Sequence, residues 1–105
     1  MTNEYGVKLD KNGYAPSVYG EVERCALCGR TDRVLHRHEA YHGPYRTKSK
    51  NLGLWIPLCD LCHEKLHHKG GGYDLLVKSM VQNKAMEHYE WTVEDFRQRF
   101  GKSYL

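Results

Sequence analysis

Two short apolar runs separated by a polar stretch dominate the middle of the hydrophobic pattern. The first run, residues 34–39, starts with Val34 and turns polar towards its end, and the second run, residues 54–59, is almost continuously apolar. Runs of this length with β-branched and aromatic residues favour strands. The stretch 42–53 between them contains a Gly-Pro pair and several basic residues, which favour a loop. The pattern therefore predicts a β-hairpin with a long connecting loop.

Helical spacing takes over after the second run. A short helix over residues 62–69 is predicted to end at the glycine triplet 70–72. An amphipathic helix over 73–89 follows. Its predicted apolar face contains Leu76, Val77, Met80, Val81 and Met86. A capping-box pattern at 92–95 opens a last helix, which is predicted to end at Gly101.

The first 22 residues look irregular or weakly stranded, with Tyr14, Val18 and Tyr19 as strand formers. Asn12 and Gly13 form a tight-turn signal, and Pro16 argues against a central strand. Residues 1–22 are therefore predicted to form an arm or hairpin that lies on the domain. Residues 23–105 are predicted to form one small α+β domain. A core of this size gives thin stability by itself, so a covalent or metal staple is expected.

The chain carries no apolar run near the roughly 18 residues that a membrane helix needs. Its polar, charged opening residues do not resemble a secretory signal. We therefore expect a cytoplasmic protein without a membrane partner, in which free thiols are favoured over disulfides.

Positive charge is concentrated in the middle of a chain whose formal net charge is only +3. Residues 24–69 contain nine Lys or Arg against four acids, together with six of the seven histidines. A basic, histidine-rich segment favours a polyanionic partner, and nucleic acid is the commonest one in cytosol. The alternative is a solvated surface with a chance excess of charge.

Four cysteines occur as two Cys-x-x-Cys pairs, Cys25 with Cys28 and Cys59 with Cys62. Two such turns deliver four thiolates in the tetrahedron that zinc prefers, so a structural zinc site is predicted. Two disulfides or a redox pair are weaker alternatives. In a further variant, His63, His67 or His68 would replace one cysteine as a ligand. Four thiolates leave no open position on the ion, so any chemistry must lie elsewhere.

Histidines lie close to both halves of the predicted zinc site. His36 and His38 end the first strand, whereas His63 and His67 are four residues apart and share one face of the short helix. If the zinc brings the hairpin beside that helix, His38 and His63 are predicted to converge on a second divalent ion. An open metal site beside a general base is suited to attack on a phosphodiester. Histidines near cysteine knuckles are also often spare ligands or hydrogen-bond donors, and His42 and His68 are expected to face solvent or phosphate.

These motifs together resemble the HNH endonuclease superfamily, and in particular its small phage-borne branch. The matching segments are Cys25-Ala-Leu-Cys28, His38-Glu39-Ala-Tyr-His-Gly43, Arg46-Thr-Lys-Ser49, Gly53-Leu-Trp-Ile-Pro-Leu-Cys59, Asp60-Leu-Cys62-His63 and Phe96-Arg-Gln-Arg-Phe-Gly-Lys-Ser-Tyr-Leu105. The resemblance covers residues 22–105. It implies a ββα-metal fold, in which a hairpin and a helix hold one catalytic divalent ion.

The resemblance also implies roles for individual residues. His38 and His63 stand at metal-ligand positions, and His67 stands where a further ligand or phosphate contact would lie. Glu39 stands at the general-base position, which in the family usually holds histidine. A carboxylate is a weak base unless burial raises its pKa.

Two positions depart from the family pattern. The first is Glu39 at the base position: if Glu39 is an extra metal ligand, His36 or His42 would be the base instead. The second is the position of the orienting asparagine. Leu54 stands where the family has the asparagine that orients the base, and Asn51 is the remaining candidate for that role.

The loop carries Arg46, Lys48 and Lys50, which are predicted to contact phosphate rather than to read sequence. The segment His63-Glu64-Lys65-Leu66-His67 also spells the metallopeptidase pattern His-Glu-x-x-His. Cys62 and the nearby glycines leave that peptidase helix too short, so a peptidase is the weakest of the functions considered.

The sequence thus predicts a metal-dependent HNH-type DNA endonuclease. The alternative is a catalytically inactive HNH-fold zinc module that binds nucleic acid or a protein partner. The expected cofactors are a structural Zn²⁺ and a catalytic divalent ion such as Mg²⁺, Mn²⁺, Ni²⁺ or Zn²⁺. The expected partner is DNA, bound by a monomer or homodimer in the cytoplasm, which would be that of the host if a phage encodes the chain.

Overall fold

The computed structural model describes residues 1–69 and 71–105 and shows a small α+β fold. In chain order its elements are β1 (Leu35–Glu39), α1 (Arg46–Asn51), β2 (Trp55–Cys59), α2 (Asp60–Lys69), α3 (Gly71–Tyr89) and α4 (Val93–Phe100). A single 3-10 turn, Gly43–Tyr45, leads into α1. The predicted α+β class is confirmed. None of the described helices is both long and apolar enough to cross a membrane.

The predicted hairpin is confirmed. β1 and β2 pair antiparallel, with Leu35 opposite Cys59 and Glu39 opposite Trp55. Every residue of β2 is buried, whereas within β1 only His38 is fully buried. Successive side chains of a strand point to opposite faces. His38 therefore lies on the inner face of the hairpin, and Glu39 lies on the other.

The connection between the strands is not the predicted loop, because residues 46–51 form the helix α1. Ser49 of this helix is completely buried, and its hydroxyl donates a hydrogen bond to the carbonyl oxygen of Leu54 at 2.6 Å. Leu52 also packs into the core just after the helix. These tertiary contacts stabilise a helical turn in a segment whose polar composition by itself favours a loop.

Two helix boundaries differ from the sequence prediction. α2 begins at Asp60 rather than at residue 62, so that it follows β2 without a break and places an acidic side chain in its first turn. α2 ends at Lys69, the last residue of the predicted helix. Gly70, the first residue of the predicted glycine stop, lies outside the described residues. α3 already begins at Gly71, earlier than predicted.

The predicted capping box is confirmed at the start of α4. The Thr92 hydroxyl accepts a hydrogen bond from the backbone N–H of Asp95 at 3.1 Å, and the Asp95 carboxylate accepts one from the backbone N–H of Thr92 at 2.9 Å. Two helix N–H groups that have no intrahelical partner are satisfied in this way. α4 ends at Phe100, directly before the predicted Gly101.

The hydrophobic core lies between the hairpin and the last two helices. α3 contributes Val77, Val81 and Ala85, which are fully buried at i, i+4 and i+8. This line corrects one part of the predicted face, because Leu76 is 55% exposed. Facing residues from the hairpin region and α4 are Tyr41, Leu54, Ile56, Leu58, Phe96 and Phe100. Each such side chain stabilises the fold by about 1.5–3 kcal/mol when fully buried.

The N-terminal residues pack along the α1–β2 connection. The indole N–H of Trp55 donates a hydrogen bond to the carbonyl oxygen of Ala15 at 2.8 Å. The backbone N–H of Val18 donates one to the carbonyl oxygen of Gly53 at 2.9 Å. Gly53 has a φ of +76°, and a Cβ at this position would collide with the carbonyl oxygen of Pro16. The close approach of the arm therefore requires glycine there.

Candidate metal centres

Three elements bring the four cysteines together. Cys25 and Cys28 lie in a turn before β1, Cys59 ends β2, and Cys62 lies in the first turn of α2. The backbone N–H of Gly29 closes the first turn on the carbonyl oxygen of Cys25 at 2.8 Å, and Gly29 has a φ of +75°. The turn thus aims its two thiols towards the joint between β2 and α2.

The sulfur positions match a tetrahedral metal site. All four Sγ atoms lie within 4.8 Å of one another, and Cys28 Sγ lies 3.7 Å from Cys59 Sγ. A Zn–S bond of about 2.3 Å in a tetrahedron gives S–S separations of about 3.8 Å. A disulfide would need about 2.05 Å, and all four cysteines are free. The cysteine cluster is therefore a group able to hold a structural metal such as zinc.

The surroundings of Cys62 and Cys25 shift the pKa values of their thiols in opposite directions. Burial and the neighbouring thiols of Cys25 and Cys59 raise the pKa of Cys62 well above its usual range. Burial also disfavours ionisation of Cys25, but backbone hydrogen bonds prevail and lower its pKa to about 6. Without a cation, a second thiolate therefore meets a large electrostatic cost. A divalent ion removes that cost, because it binds the deprotonated form.

A second group, which we call the histidine cluster, consists of His36, His38, His42, His63 and His67. His38 is at its centre: its ring centroid lies 5.3 Å from that of His42, 5.4 Å from that of His63 and 6.3 Å from that of His67. His36 stacks on His63 at 5.4 Å. The structure therefore brings His38, His63 and His67 together, as the sequence predicted.

His38 has the properties of a metal ligand. Its residue is only 3% exposed, and among the described side chains its Nε2 is the one buried polar atom without a hydrogen-bond partner. Leaving such an atom unsatisfied costs about 1–3 kcal/mol. Burial, followed by the neighbouring histidines, lowers the pKa of His38 to about 4. The imidazole is thus neutral at physiological pH, with a free lone pair that fits a metal ion.

His63 and His67 lie one turn apart on α2, with their Nε2 atoms 3.1 Å from each other. Burial, followed by the neighbouring His67 and His36, lowers the pKa of His63. Two close imidazoles on one helix face are suited to bind a cation or a phosphate oxygen.

His42 and Asp74 complete the edge of the cluster. From the sequence, His42 was expected to face solvent or phosphate, with the general base as its alternative role, and Asp74 was not considered. The ligand atoms of His38, His42 and Asp74 all lie within 4.8 Å of one another. An acid in the first turn of a helix is common for electrostatic reasons alone, so the sequence around Asp74 contained no signal.

Glu39, the predicted base or extra ligand, lies away from this face of the hairpin. Its carboxylate accepts a hydrogen bond from Arg46 Nε at 2.8 Å. Burial alone would raise the pKa of Glu39, but hydrogen bonds, chiefly from Arg46, outweigh burial and lower it. The side chain is therefore held as a carboxylate in an ion pair, whereas a general base at neutral pH needs a raised pKa.

Asn51, the predicted orienting residue, ends α1 on the side of the N-terminal arm. Its carbonyl oxygen accepts a hydrogen bond from Asn3 Nδ2 at 2.8 Å. Its side chain lies next to Gly13. The structure records no contact between Asn51 and any member of the histidine cluster among the residues it describes.

The three predicted phosphate contacts lie on α1 but do not point in one direction. Arg46 pairs with Glu39, and Lys50 Nζ lies 4.8 Å from the ring centre of Tyr14. Lys48 Nζ instead donates to the carbonyl oxygen of Arg99 at 3.1 Å. Arg46 and Lys50, four residues apart, share one helix face, and Lys48 lies on another.

Glu64 of the peptidase pattern points away from the histidine cluster. It is 68% exposed and faces His68 at 3.9 Å. A peptidase would need this carboxylate beside the metal-bound water. The geometry therefore gives the peptidase interpretation no support.

Comparison with protein-family models, curated proteins and solved structures finds no match to this chain. The geometry of the two clusters is therefore the only structural basis for a function.

Proposed function

We propose that this chain is a metal-dependent HNH-type endonuclease that hydrolyses phosphodiester bonds in DNA. The observation that carries the proposal is the buried, unpartnered Nε2 of His38 at the centre of four other imidazoles. A neutral buried imidazole without a partner is costly in a small domain unless a ligand uses its lone pair. The hairpin followed directly by α2 has the strand–strand–helix order that the resemblance implies.

His38 and His63 are the proposed ligands of a catalytic divalent ion, with His67 beside them. When bound, such an ion polarises the scissile phosphate and stabilises the leaving oxygen. Imidazole donors suit Mn²⁺, Ni²⁺ and Zn²⁺ better than Mg²⁺. The cluster opens to solvent through His36, His42 and His67, which are exposed, so a phosphate can approach it.

The proton acceptor for the attacking water is proposed to be His36 rather than Glu39. His36 is exposed and stacks on His63, which places a free imidazole at the rim of the cluster. Glu39 is bound to Arg46 instead. The role proposed for Glu39 is to orient Arg46. The Arg46 side chain is 64% exposed, so its guanidinium can contact a phosphate.

DNA is proposed to meet the histidine cluster on the inner face of the hairpin and to extend around its edge to α1, where Arg46 lies on the side of Glu39. Arg46 and Lys50 supply positive charge on one helix face, and Arg37 adds a third cation 4.5 Å from the ring centre of Tyr14. Such contacts fix the register of a phosphate backbone without reading its sequence. The cysteine cluster is proposed to bind zinc and to hold the hairpin root against α2.

A plasmid-nicking assay tests this function. Purified protein with zinc in the cysteine cluster is incubated with supercoiled DNA and Mg²⁺, Mn²⁺ or Ni²⁺, or with EDTA. We expect nicking that needs a divalent ion and falls by about 10²-fold or more in His38→Ala and His63→Ala. His88→Ala is the matched control, because His88 is exposed on α3 and contacts Tyr89 rather than the histidine cluster.

The second candidate is a binding module without turnover, supported by the cysteine cluster alone. Wild-type protein that retards DNA in a gel but leaves it intact with every metal would exclude the endonuclease and favour this module.

A further inference from the structure

Asp74 approaches the histidine cluster from α3, outside the unit formed by the hairpin and α2. It lies in the first turn of α3, and its side chain is 29% exposed. Its Oδ1 lies 3.8 Å from His42 Nε2, which is too long for a hydrogen bond. This separation is still within ion-pair range, so Oδ1 can pair with a protonated His42 or, together with His42, face a cation.

The two oxygens of Asp74 have different surroundings. Oδ2 forms an ion pair with Lys78 Nζ, 2.8 Å away and one helical turn along α3. This ion pair orients the carboxylate and leaves Oδ1 directed at His42. Lys78 itself is held in place, since its ammonium also lies 5.2 Å from the ring centre of Tyr104. One oxygen of the carboxylate is therefore anchored, and the other is available as a donor.

Three donor groups face one another at this point. Ligand atoms of His38, His42 and Asp74 all lie within 4.8 Å of one another, and His38 Nε2 has no partner. Donors that share one ion at about 2.0–2.2 Å are about 3.0–4.4 Å apart. Small side-chain rotations would therefore bring the three onto one ion.

We propose that Asp74 and His42 are ligands of the divalent ion that His38 binds. The inference rests on the proposed function and extends it, because it makes α3 part of the metal site. Two imidazoles and one carboxylate would leave further positions on that ion for His63, water or a phosphate oxygen. This donor set selects Mn²⁺, Ni²⁺ or Zn²⁺ over Mg²⁺, which is bound mainly by oxygen ligands.

Manganese binding measured by electron paramagnetic resonance tests the ligand assignment without an activity assay. Protein whose cysteine cluster is loaded with zinc is titrated with Mn²⁺, and the free-ion signal gives the bound fraction. Thiolates select soft ions, so Mn²⁺ will not displace zinc there. We expect one bound Mn²⁺ per wild-type chain and an affinity at least about tenfold weaker in Asp74→Asn and in His42→Ala.

Two control variants separate ligation from other effects. Glu87→Gln removes an exposed acid from the same helix and should bind Mn²⁺ as the wild type does. Lys78→Met removes the ion pair with Asp74 but keeps the carboxylate, so it should retain most of the affinity. Circular dichroism verifies that each variant is folded, and His42→Ala replaces Asp74→Asn if the latter unfolds.

Three results would overturn the assignment. One is an Mn²⁺ affinity of Asp74→Asn within about twofold of wild type, well short of the loss expected for a removed ligand. The second is an equal loss in Lys78→Met, which would attribute the effect to the ion pair. The third is a wild type that binds no Mn²⁺.

The nicking assay remains an independent test, since an active wild type with an equally active Asp74→Asn would refute this inference and keep the endonuclease.

Discussion

The cysteine cluster and the histidine cluster lie on the same hairpin but are built in different ways. The cysteine cluster takes four identical donors from two short motifs, and one of them, Cys59, pairs across the sheet with Leu35. The histidine cluster is centred on His38, three residues after Leu35 in β1. Its imidazoles come from β1, α2 and the loop after β1, and the carboxylate of Asp74 in α3 lies at its edge.

The two clusters also differ in how they meet solvent and charge. A closed set of four thiolates completes its ion and leaves no site for substrate, so its energy goes into folding. The histidine cluster buries only its centre, His38, and keeps His42 48% exposed. A half-open set of donors would leave coordination positions free on an ion. The comparison teaches that a closed thiol cluster and a half-open imidazole cluster can lie within a few residues of each other on one hairpin.

The largest expected effect is on the cysteine cluster. Cys59→Ser should abolish zinc binding and leave the domain largely unfolded. Structural zinc contributes about 10–16 kcal/mol of apparent binding free energy, which exceeds the roughly 5–15 kcal/mol stability of a typical domain. Circular dichroism and a zinc assay on the purified protein would measure both. A metal-free variant with native helix content would show that the cluster does not determine the fold.

His38→Ala should break the histidine cluster and leave the cysteine cluster intact. We expect full zinc content, native circular dichroism and loss of nicking. Wild type at Mn²⁺ a hundredfold above its Kd should gain about 2.7 kcal/mol, or about 11–22 °C in Tm for a domain of this size. The variant should show no such gain in differential scanning calorimetry. An equal gain in both proteins would mean that the ion binds without His38.

Glu39→Gln sharpens the boundary of the histidine cluster and should have a smaller effect. Because Glu39 pairs with the largely exposed Arg46, its loss should lower stability by only about 0–1 kcal/mol. Nicking should remain close to the wild-type rate over pH 6–9. A loss of about 10²-fold or more, the size of a general-base contribution, would instead make Glu39 the base. His36→Ala, measured in parallel, should show that larger loss.

Glu64→Gln is expected to have the smallest effect. Its carboxylate is 68% exposed and directed at His68, so nicking, zinc content and stability should stay at wild-type values. A casein-cleavage assay on wild type should detect no proteolysis. Proteolysis that disappears in Glu64→Gln would replace the endonuclease proposal with a peptidase.

The sequence predicted several elements correctly because their signals are local. Two Cys-x-x-Cys pairs gave the cysteine cluster, since each pair encodes its own turn. The capping box at Thr92 depends on a spacing of three residues, and it too was predicted. The hairpin followed from two short apolar runs whose length and composition suit paired strands.

Other features were decided by contacts between residues far apart in the chain. α1 forms because Ser49 and Leu52 are buried, which composition alone does not reveal. Leu76 faces solvent because the packing of α3 selects the line through Val77 and Val81.

The histidine cluster shows the same limit at the level of function. The sequence indicated that His38, His63 and His67 would meet, because two strands and one helix fix their relative positions. It placed Glu39 in the same site, although strand alternation and Arg46 turn that side chain to the other face. It gave no sign of Asp74, whose place beside His42 depends on how α3 packs after the glycine segment. Local spacing determined the cysteine cluster, and only the tertiary structure decided which donors border the histidine cluster, because those donors come from separate elements.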